Sequence, residues 1–138
     1  MIRQTLMALG VSITLLSTST AQDMAVTSVE LPDICKTGMQ HGMGSMMMDM
    51  MNGMDQAHQD MAMGMDETNA QMMQGMMAED IDVAFVCAMI PHHQAAINMA
   101  KAELRHGDSD WAKEMAQKVI DAQQQEIDEM LNWLKEQK

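Results

Sequence analysis

The amino-acid sequence predicts an all-α protein, a bundle of three or four helices whose C-terminal half is a long antiparallel hairpin. Apolar residues recur three and four positions apart over residues 110–136, which is typical of a helix that buries one face. β-branched and aromatic residues are scarce, with one Phe, two Trp and no Tyr, and this disfavours a β-sandwich. The chain has 138 residues, which is enough for one domain at most.

The first 21 residues have the pattern of an export signal. Arg3 gives a short positive start, residues 5–16 form an apolar core, and Ala21 ends a run of small residues suited to cleavage. The alternative is an uncleaved anchor, but the apolar run is short for a bilayer span. We therefore expect an exported protein of the periplasm, with no membrane insertion after the signal is removed.

Residues 22–38 are predicted to form a short leader that contains the first of two cysteines. Cys35 and Cys87 are an even pair in an oxidising compartment, which favours a disulfide. Closing a loop of about 50 residues would stabilise the fold by roughly 4 kcal/mol in the chain-entropy model. The alternative is that both cysteines are thiolate metal ligands, but they lack the close spacing of such pairs.

Residues 39–78 are predicted to be a methionine-rich segment that is helical or ordered by metal. Residues 39–77 hold 15 of the 22 methionines and contain no Lys, Arg or Pro. Methionine is a good helix former, and we expect helices over 45–63 and 69–78. Thr68 and Gln71 have the spacing of a capping box and would begin the second of these helices.

Residues 79–138 are predicted to form a helical hairpin, the metal-binding core. Asp80 or Asp82 would cap a helix that runs to His106, and Gly107 would end it. A second helix follows over 110–136, and the short connection makes the pair antiparallel. Gln123 interrupts the apolar stripe and would need a hydrogen-bond partner if buried. The methionine-rich half would cover the remaining apolar face and complete the bundle.

The charge of the chain excludes several kinds of partner. Eight Lys and Arg face 20 Asp and Glu, for a formal net charge of −12. Nucleic-acid binding needs a basic face, and an anionic membrane surface attracts basic segments. The sequence therefore favours cations as ligands.

The segment Met-Ile-Pro-His-His at 89–93 carries the strongest chemical signal. On a helix, seven residues share one arc about 140° wide: Met89, His92, His93, Ala96, Met99, Glu103 and His106. Pro91 has no N–H, so the Cys87 carbonyl loses its helical partner and we expect a kink beside the histidines.

These donors predict a copper site. Thioether sulfur is soft and selects Cu(I), or Ag(I), over Zn(II), Mg(II) or Ca(II), while imidazole accepts both copper oxidation states. The same chemistry adds Met39, His41 and Met43 in the methionine-rich segment. Against this, a single methionine on a helix usually fills a core or absorbs oxidation. His58 and His106, taken singly, are interpreted as ordinary surface residues.

Two other functions are compatible with the sequence. Glu103 and His106 form a Glu-x-x-His pair as in di-iron bundles, which would make the chain a cuprous or ferrous oxidase, but such centres need two pairs. An apolar and adaptable methionine surface would instead suit a chaperone-like module that binds many partners. Motifs of nucleotide-binding or hydrolytic enzymes are missing, so the sequence favours a binding protein over an enzyme.

The stretch Asp82–Ile97, with its Met-Ile-Pro-His-His-x-x-Ala-Ile core, resembles domain-of-unknown-function family 305. The likeness extends through Met99-Ala100, Gln124, Glu126-Ile127, Met130 and Trp133-Leu134. It implies a ferritin-like helical bundle and copper binding linked to copper tolerance. Carried over to this chain, it implies Met89, His92, His93 and Met99 as ligands, with Met130 as a contributor.

The residues and the resemblance together predict an exported copper-binding protein. It would hold several Cu(I) ions, and also Cu(II), and would buffer, store or deliver the metal by ligand exchange. Candidate partners besides copper are a second periplasmic copper carrier or an efflux component. A methionine-lined face could also form a homodimer around metal.

Overall fold

The computed structural model describes residues 27–36 and 51–137. Within them the chain forms a 3-10 turn at Asp33–Cys35 and four α-helices: α1 (Gln56–Ala62), α2 (Met65–Gly75), α3 (Ile81–His106) and α4 (Asp110–Glu136). These ranges contain no strand, which confirms the all-α prediction. The expected export signal at 1–21 lies outside the described residues. None of the described helices has the length and apolar character that a membrane span requires.

The predicted C-terminal hairpin is confirmed as α3 and α4. Asp80 caps α3 by accepting hydrogen bonds from the N–H groups of Asp82 and Val83, at 2.9 and 3.1 Å. Ser109 caps α4 by accepting from the Ala112 N–H at 3.3 Å. Such caps satisfy N–H groups that the first turn of a helix leaves free. Only residues 107–109 separate the helices, so the two pack side by side in opposite directions.

Helix α3 is the central element of the described chain. It packs against α1, α2, α4 and the 3-10 turn. The core lies between α3, α4 and the leader, and its buried residues are Leu31, Cys35, Val83, Cys87, Ile90, Ile97, Ile127 and Leu134. Gln123, which lies in the apolar stripe of α4, keeps a buried Oε1 for which the described residues provide no hydrogen-bond partner.

The two cysteines form a disulfide between the leader and the first half of α3. Cys35 and Cys87 are both fully buried, with their Cα atoms 5.4 Å apart. This confirms the predicted disulfide and rules out the alternative thiolate pair. The bond spans 52 residues, for which the chain-entropy model gives a stabilisation of about 4 kcal/mol.

The leader is also fixed by polar contacts that the sequence did not suggest. The buried side chains of Gln94 and Asn98 on α3 both bind Thr27. Gln94 donates to the Thr27 hydroxyl at 2.8 Å, and Asn98 donates to its carbonyl at 3.2 Å. From α2, Gln71 donates to the Val29 carbonyl at 3.4 Å. Residues 27–36 are therefore a packed part of the bundle.

The prediction of one helix over 45–63 is wrong for its described part. The chain turns at residues 52–55, where the Met54 N–H donates to the Met51 carbonyl at 3.1 Å. Asp55 then caps α1 by accepting from the His58 N–H at 3.0 Å. An extended capping residue in the middle of the range starts a new helix, so α1 begins at Gln56.

The prediction that Thr68 begins a helix over 69–78 is also wrong. Helix α2 begins at Met65, after Gly64, whose φ of 83° places it in the left-handed region that glycine adopts readily. The Thr68 hydroxyl donates to the carbonyls of Gly64 and Met65, at 3.0 and 3.1 Å. A hydroxyl that returns to the preceding turn lies inside a helix and does not cap it.

Helix α2 ends in close contact with the backbone of α3. A Cβ on Gly75 would lie 2.6 Å from both the carbonyl carbon and oxygen of Cys87, and 2.8 Å from the Ala88 nitrogen. Pro91 removes the N–H that would normally bond this carbonyl, yet α3 continues from Ile81 to His106. Glycine thus permits the close packing of α2 on α3, because any side chain would collide with main-chain atoms.

We expect Gly75→Ala to lower the free energy of unfolding by about 1–3 kcal/mol, the usual cost of overpacking. The clash involves main-chain atoms that cannot rotate away. Gly53→Ala is the matched control, since a Cβ there has nothing within 4 Å. Urea unfolding followed by circular dichroism measures both variants. Equal stability of Gly75→Ala and the unaltered chain would contradict the packing argument.

Candidate metal centre

The Met-Ile-Pro-His-His segment lies in the middle of α3, where packing separates its two histidines. Pro91 and His93 are buried, whereas His92 is exposed. Adjacent residues on a helix point about 100° apart, so one histidine faces the core when its neighbour faces solvent. The two imidazole rings are still close, with centroids 5.8 Å apart and planes at 62°.

His93 links α3 to α4. Its side chain is 9% exposed. Nδ1 lies 2.8 Å from the Met89 carbonyl, and Nε2 lies 2.6 Å from Oε2 of Glu126 on α4. Both ring nitrogens are therefore bonded to protein acceptors. His93 remains a predicted metal ligand, but a metal would first have to displace Glu126 from Nε2.

His92 is the histidine of this segment that is available to a ligand. Neither of its ring nitrogens has a hydrogen-bond partner among the described residues, and its contact with His93 is between rings. Met89 lies one turn earlier on α3 and is half-buried. Residues three apart on a helix are neighbours on its surface. Met89 and His92 therefore offer a thioether and an unbonded imidazole close together.

The other predicted methionines have different surroundings. Met99, further along α3, is 37% exposed, so part of the residue is open to solvent. Met130 on α4 is half-buried and packs against the hydrophobic core, as a structural methionine does. Met39, His41 and Met43 lie outside the described residues. The proposed ligand roles of all five residues remain predictions.

The Glu-x-x-His pair of α3 is not arranged as in a di-iron centre. His106 Nε2 lies 2.7 Å from Oδ2 of Asp60 on α1, and the Glu103 side chain lies against Gly107. Residues 27–36 and 51–137 contain no group of three or more His, Cys, Asp and Glu placed to hold a metal ion. The carboxylate-rich ligand set of a di-iron bundle is therefore missing from these ranges.

Asp60 joins the methionine-rich half to the end of α3, a role that the sequence did not indicate. Its carboxylate accepts hydrogen bonds from His106 and from Gln56, each at 2.7 Å, and it pairs with Arg105. These contacts, that of His106 foremost, lower the pKa of Asp60 from 3.8 to about 2. No local pattern marks this role of Asp60, because its partners on α3 lie 45 and 46 residues away.

The fold and this site define a small, disulfide-bonded helical protein with an unbonded imidazole beside thioether sulfur. The sequence matches the family described as Domain of unknown function (DUF305) over residues 10–134. The chain therefore belongs to the DUF305 family, as the Met-Ile-Pro-His-His resemblance indicated. A comparison with curated proteins gave no match.

The lowered pKa of Asp60 predicts a stability change in acid. A carboxyl group whose pKa is lower in the folded state stabilises the fold above its unfolded pKa, and this contribution is lost as the pH falls through its folded pKa. For Asp60 this stabilisation is lost as the pH falls from 3.8 to about 2. Asp60→Asn should remove that part of the pH dependence in acid titrations followed by circular dichroism. The matched control is Asp128→Asn, which alters an exposed carboxylate bonded to Gln124. An identical acid profile for both variants would refute the contribution of Asp60 to the pH dependence of stability.

The contact between His93 and Glu126 should contribute to stability. Glu126→Ala leaves Nε2 of a buried imidazole without its partner, which we expect to cost about 1–2 kcal/mol. Glu129→Ala is the matched control, because Glu129 is exposed and bonded to Gln125 one turn away. Its effect should stay within about 0.5 kcal/mol. Thermal unfolding measures both variants. Equal effects would show that the hydrogen bond between His93 and Glu126 contributes nothing to stability.

Proposed function

We propose that the chain is an exported copper-binding protein that holds Cu(I), and also Cu(II) or Ag(I), through methionine and histidine. It would buffer, store or deliver the metal. The observation that carries the proposal is His92, an exposed imidazole with no hydrogen-bond partner among the described residues, one turn after Met89. Soft thioether and imidazole donors together suit Cu(I) better than the hard divalent cations.

The rigidity of α3 supports this proposal. The Cys35–Cys87 disulfide fixes the helix five residues before His92, and the bond from His93 to Glu126 fixes the following residue to α4. Ligands held on a packed helix lose little freedom when a metal binds. The chemistry proposed is coordination and ligand exchange, without a catalytic step.

The solvent exposure of methionines in the methionine-rich half also supports metal binding. Five of its methionines expose between 38% and 56% of their surface: Met61, Met63, Met73, Met76 and Met77. Methionines that served only as core filler would be buried. These thioethers are instead open to solvent, where several could bind Cu(I) in addition to the centre on α3.

We further propose a periplasmic location and a likeness to the periplasmic copper-binding protein CopM. A buried disulfide is compatible with an oxidising compartment outside the cytoplasm, and membership of the DUF305 family is compatible with that likeness. A second copper carrier or an efflux component would receive the metal. A homodimer formed around copper is a further proposed assembly.

Anaerobic titration of residues 22–138 with Cu(I) against a chromophoric chelator tests the proposal. We expect several ions to bind and His92→Ala to weaken one site by at least about tenfold, because losing a ligand should cost no less than losing the residue that orients that ligand. Met99→Leu should also weaken binding. Met115→Leu is the matched control, since Met115 is similarly exposed at 42% and has no histidine within four positions along its helix.

Failure to compete with the chelator would overturn the copper proposal. Metal-dependent O₂ consumption with turnover would then favour the oxidase, and binding of apolar peptides without any effect of metal would favour the chaperone-like module.

A further inference from the structure

The four histidines in the described part of the chain are bonded in different ways. His93 and His106 both place Nε2 against a carboxylate, at 2.6 and 2.7 Å. His92 has no hydrogen-bond partner among the described residues. In His58 on α1 the arrangement is reversed, because Nδ1 lies 2.8 Å from Oδ1 of Asp55. Its Nε2 has no described partner, and the side chain is 69% exposed.

Asp55 fixes both the backbone and the ring of His58. The same carboxylate oxygen accepts from the His58 N–H at 3.0 Å and lies 2.8 Å from Nδ1. Because a carboxylate only accepts hydrogen bonds, Nδ1 carries the proton and the Nε2 lone pair is left outward. Histidines that bind metals typically donate their other ring N–H to a carboxylate, which sets the tautomer and raises ligand basicity.

A soft sulfur donor lies one turn further along α1. Met61 is three residues after His58 and is 38% exposed, so the two share a face of the helix. Met89 and His92 on α3 are also three residues apart. The Gln56–Ala62 helix carries no Lys or Arg of its own, and Arg105, which reaches it from α3, is paired with Asp60. Asp55 adds a negative charge beside the ring.

We propose that His58 Nε2 and Met61 Sδ form a second site for a soft monovalent ion, Cu(I) or Ag(I), with Asp55 as its positioning residue. The inference rests on the proposed copper-binding function, and it adds a defined site in the methionine-rich half. It also changes the interpretation of His58, which the sequence alone indicated to be an ordinary surface residue.

Nitrogen NMR of the whole chain labelled with ¹⁵N-histidine tests the site, with Ag(I) as a diamagnetic probe. We expect the Nε2 resonance of His58 to shift on Ag(I) binding while Nδ1 stays protonated. An unbound surface histidine would keep both resonances. The His92 ring gives a separate signal in the same spectra, so the two sites are followed independently.

Variants separate the positioning role of Asp55 from its role as a helix cap. Asn caps a helix about as well as Asp but lacks the charge, so Asp55→Asn should keep the helicity while weakening Ag(I) binding at His58 by about 10- to 100-fold. The matched control is Asp80→Asn, which makes the same change at the cap of α3, where no imidazole is involved. It should leave the His58 site unchanged.

Met61→Leu should weaken the same site, and Met73→Leu is its control. Met73 is exposed at 56% but has no histidine within four positions along its helix. Equal effects of the two methionine variants would overturn the assignment of Met61.

A shift at His92 with none at His58 would overturn this inference and leave the proposed function intact. Absence of any Ag(I) binding would overturn both.

Discussion

The bundle depends on the turn of α3 that contains Cys87. The sulfur of Cys87 is bonded to Cys35 in the leader, and its main chain lies against Gly75 at the end of α2. Four residues later Pro91 removes the N–H that would otherwise bond the Cys87 carbonyl. A covalent bond and a contact between main chains thus meet at one residue of the helix that touches every other described helix. Further along the same helix, Gln94 and Asn98 bind Thr27 of the leader.

Two adjacent histidines on this helix differ in what they bind: His93 is bonded within the fold, and His92 is open to a ligand. His93 bonds at both ring nitrogens and joins α3 to Glu126 on α4. His92 faces solvent without a hydrogen-bond partner among the described residues. The difference comes from helix geometry, because a rotation of about 100° per residue directs one ring into the core and leaves the next one outside. A paired histidine stabilises the fold, and its neighbour keeps a lone pair for a ligand.

The sequence predicted the features that depend on local pattern. The hairpin, the cap of α3 at Asp80, which was one of two candidates, and the pairing of the two cysteines each follow from nearby residues or from the cysteine count. What it missed depends on partners distant in the chain. Asp60 is bonded to residues on α3, and Thr27 meets Gln94 and Asn98, 67 and 71 positions away. Thr68 had the right spacing for a cap, but the left-handed conformation at Gly64 moved the helix start upstream.

Within the candidate site, helical spacing indicated that Met89 and His92 are close. It could not show that the Glu126 carboxylate is bonded to Nε2 of His93.

The disulfide also changes the covalent topology of the protein. Cys35 and Cys87 enclose the whole of α1 and α2 and the start of α3 in a closed ring of chain. A single proteolytic cut inside this ring opens it but releases no fragment, because both ends stay attached through the sulfur atoms. The methionine-rich half therefore survives one backbone break as part of the same molecule, until a reductant separates the pieces.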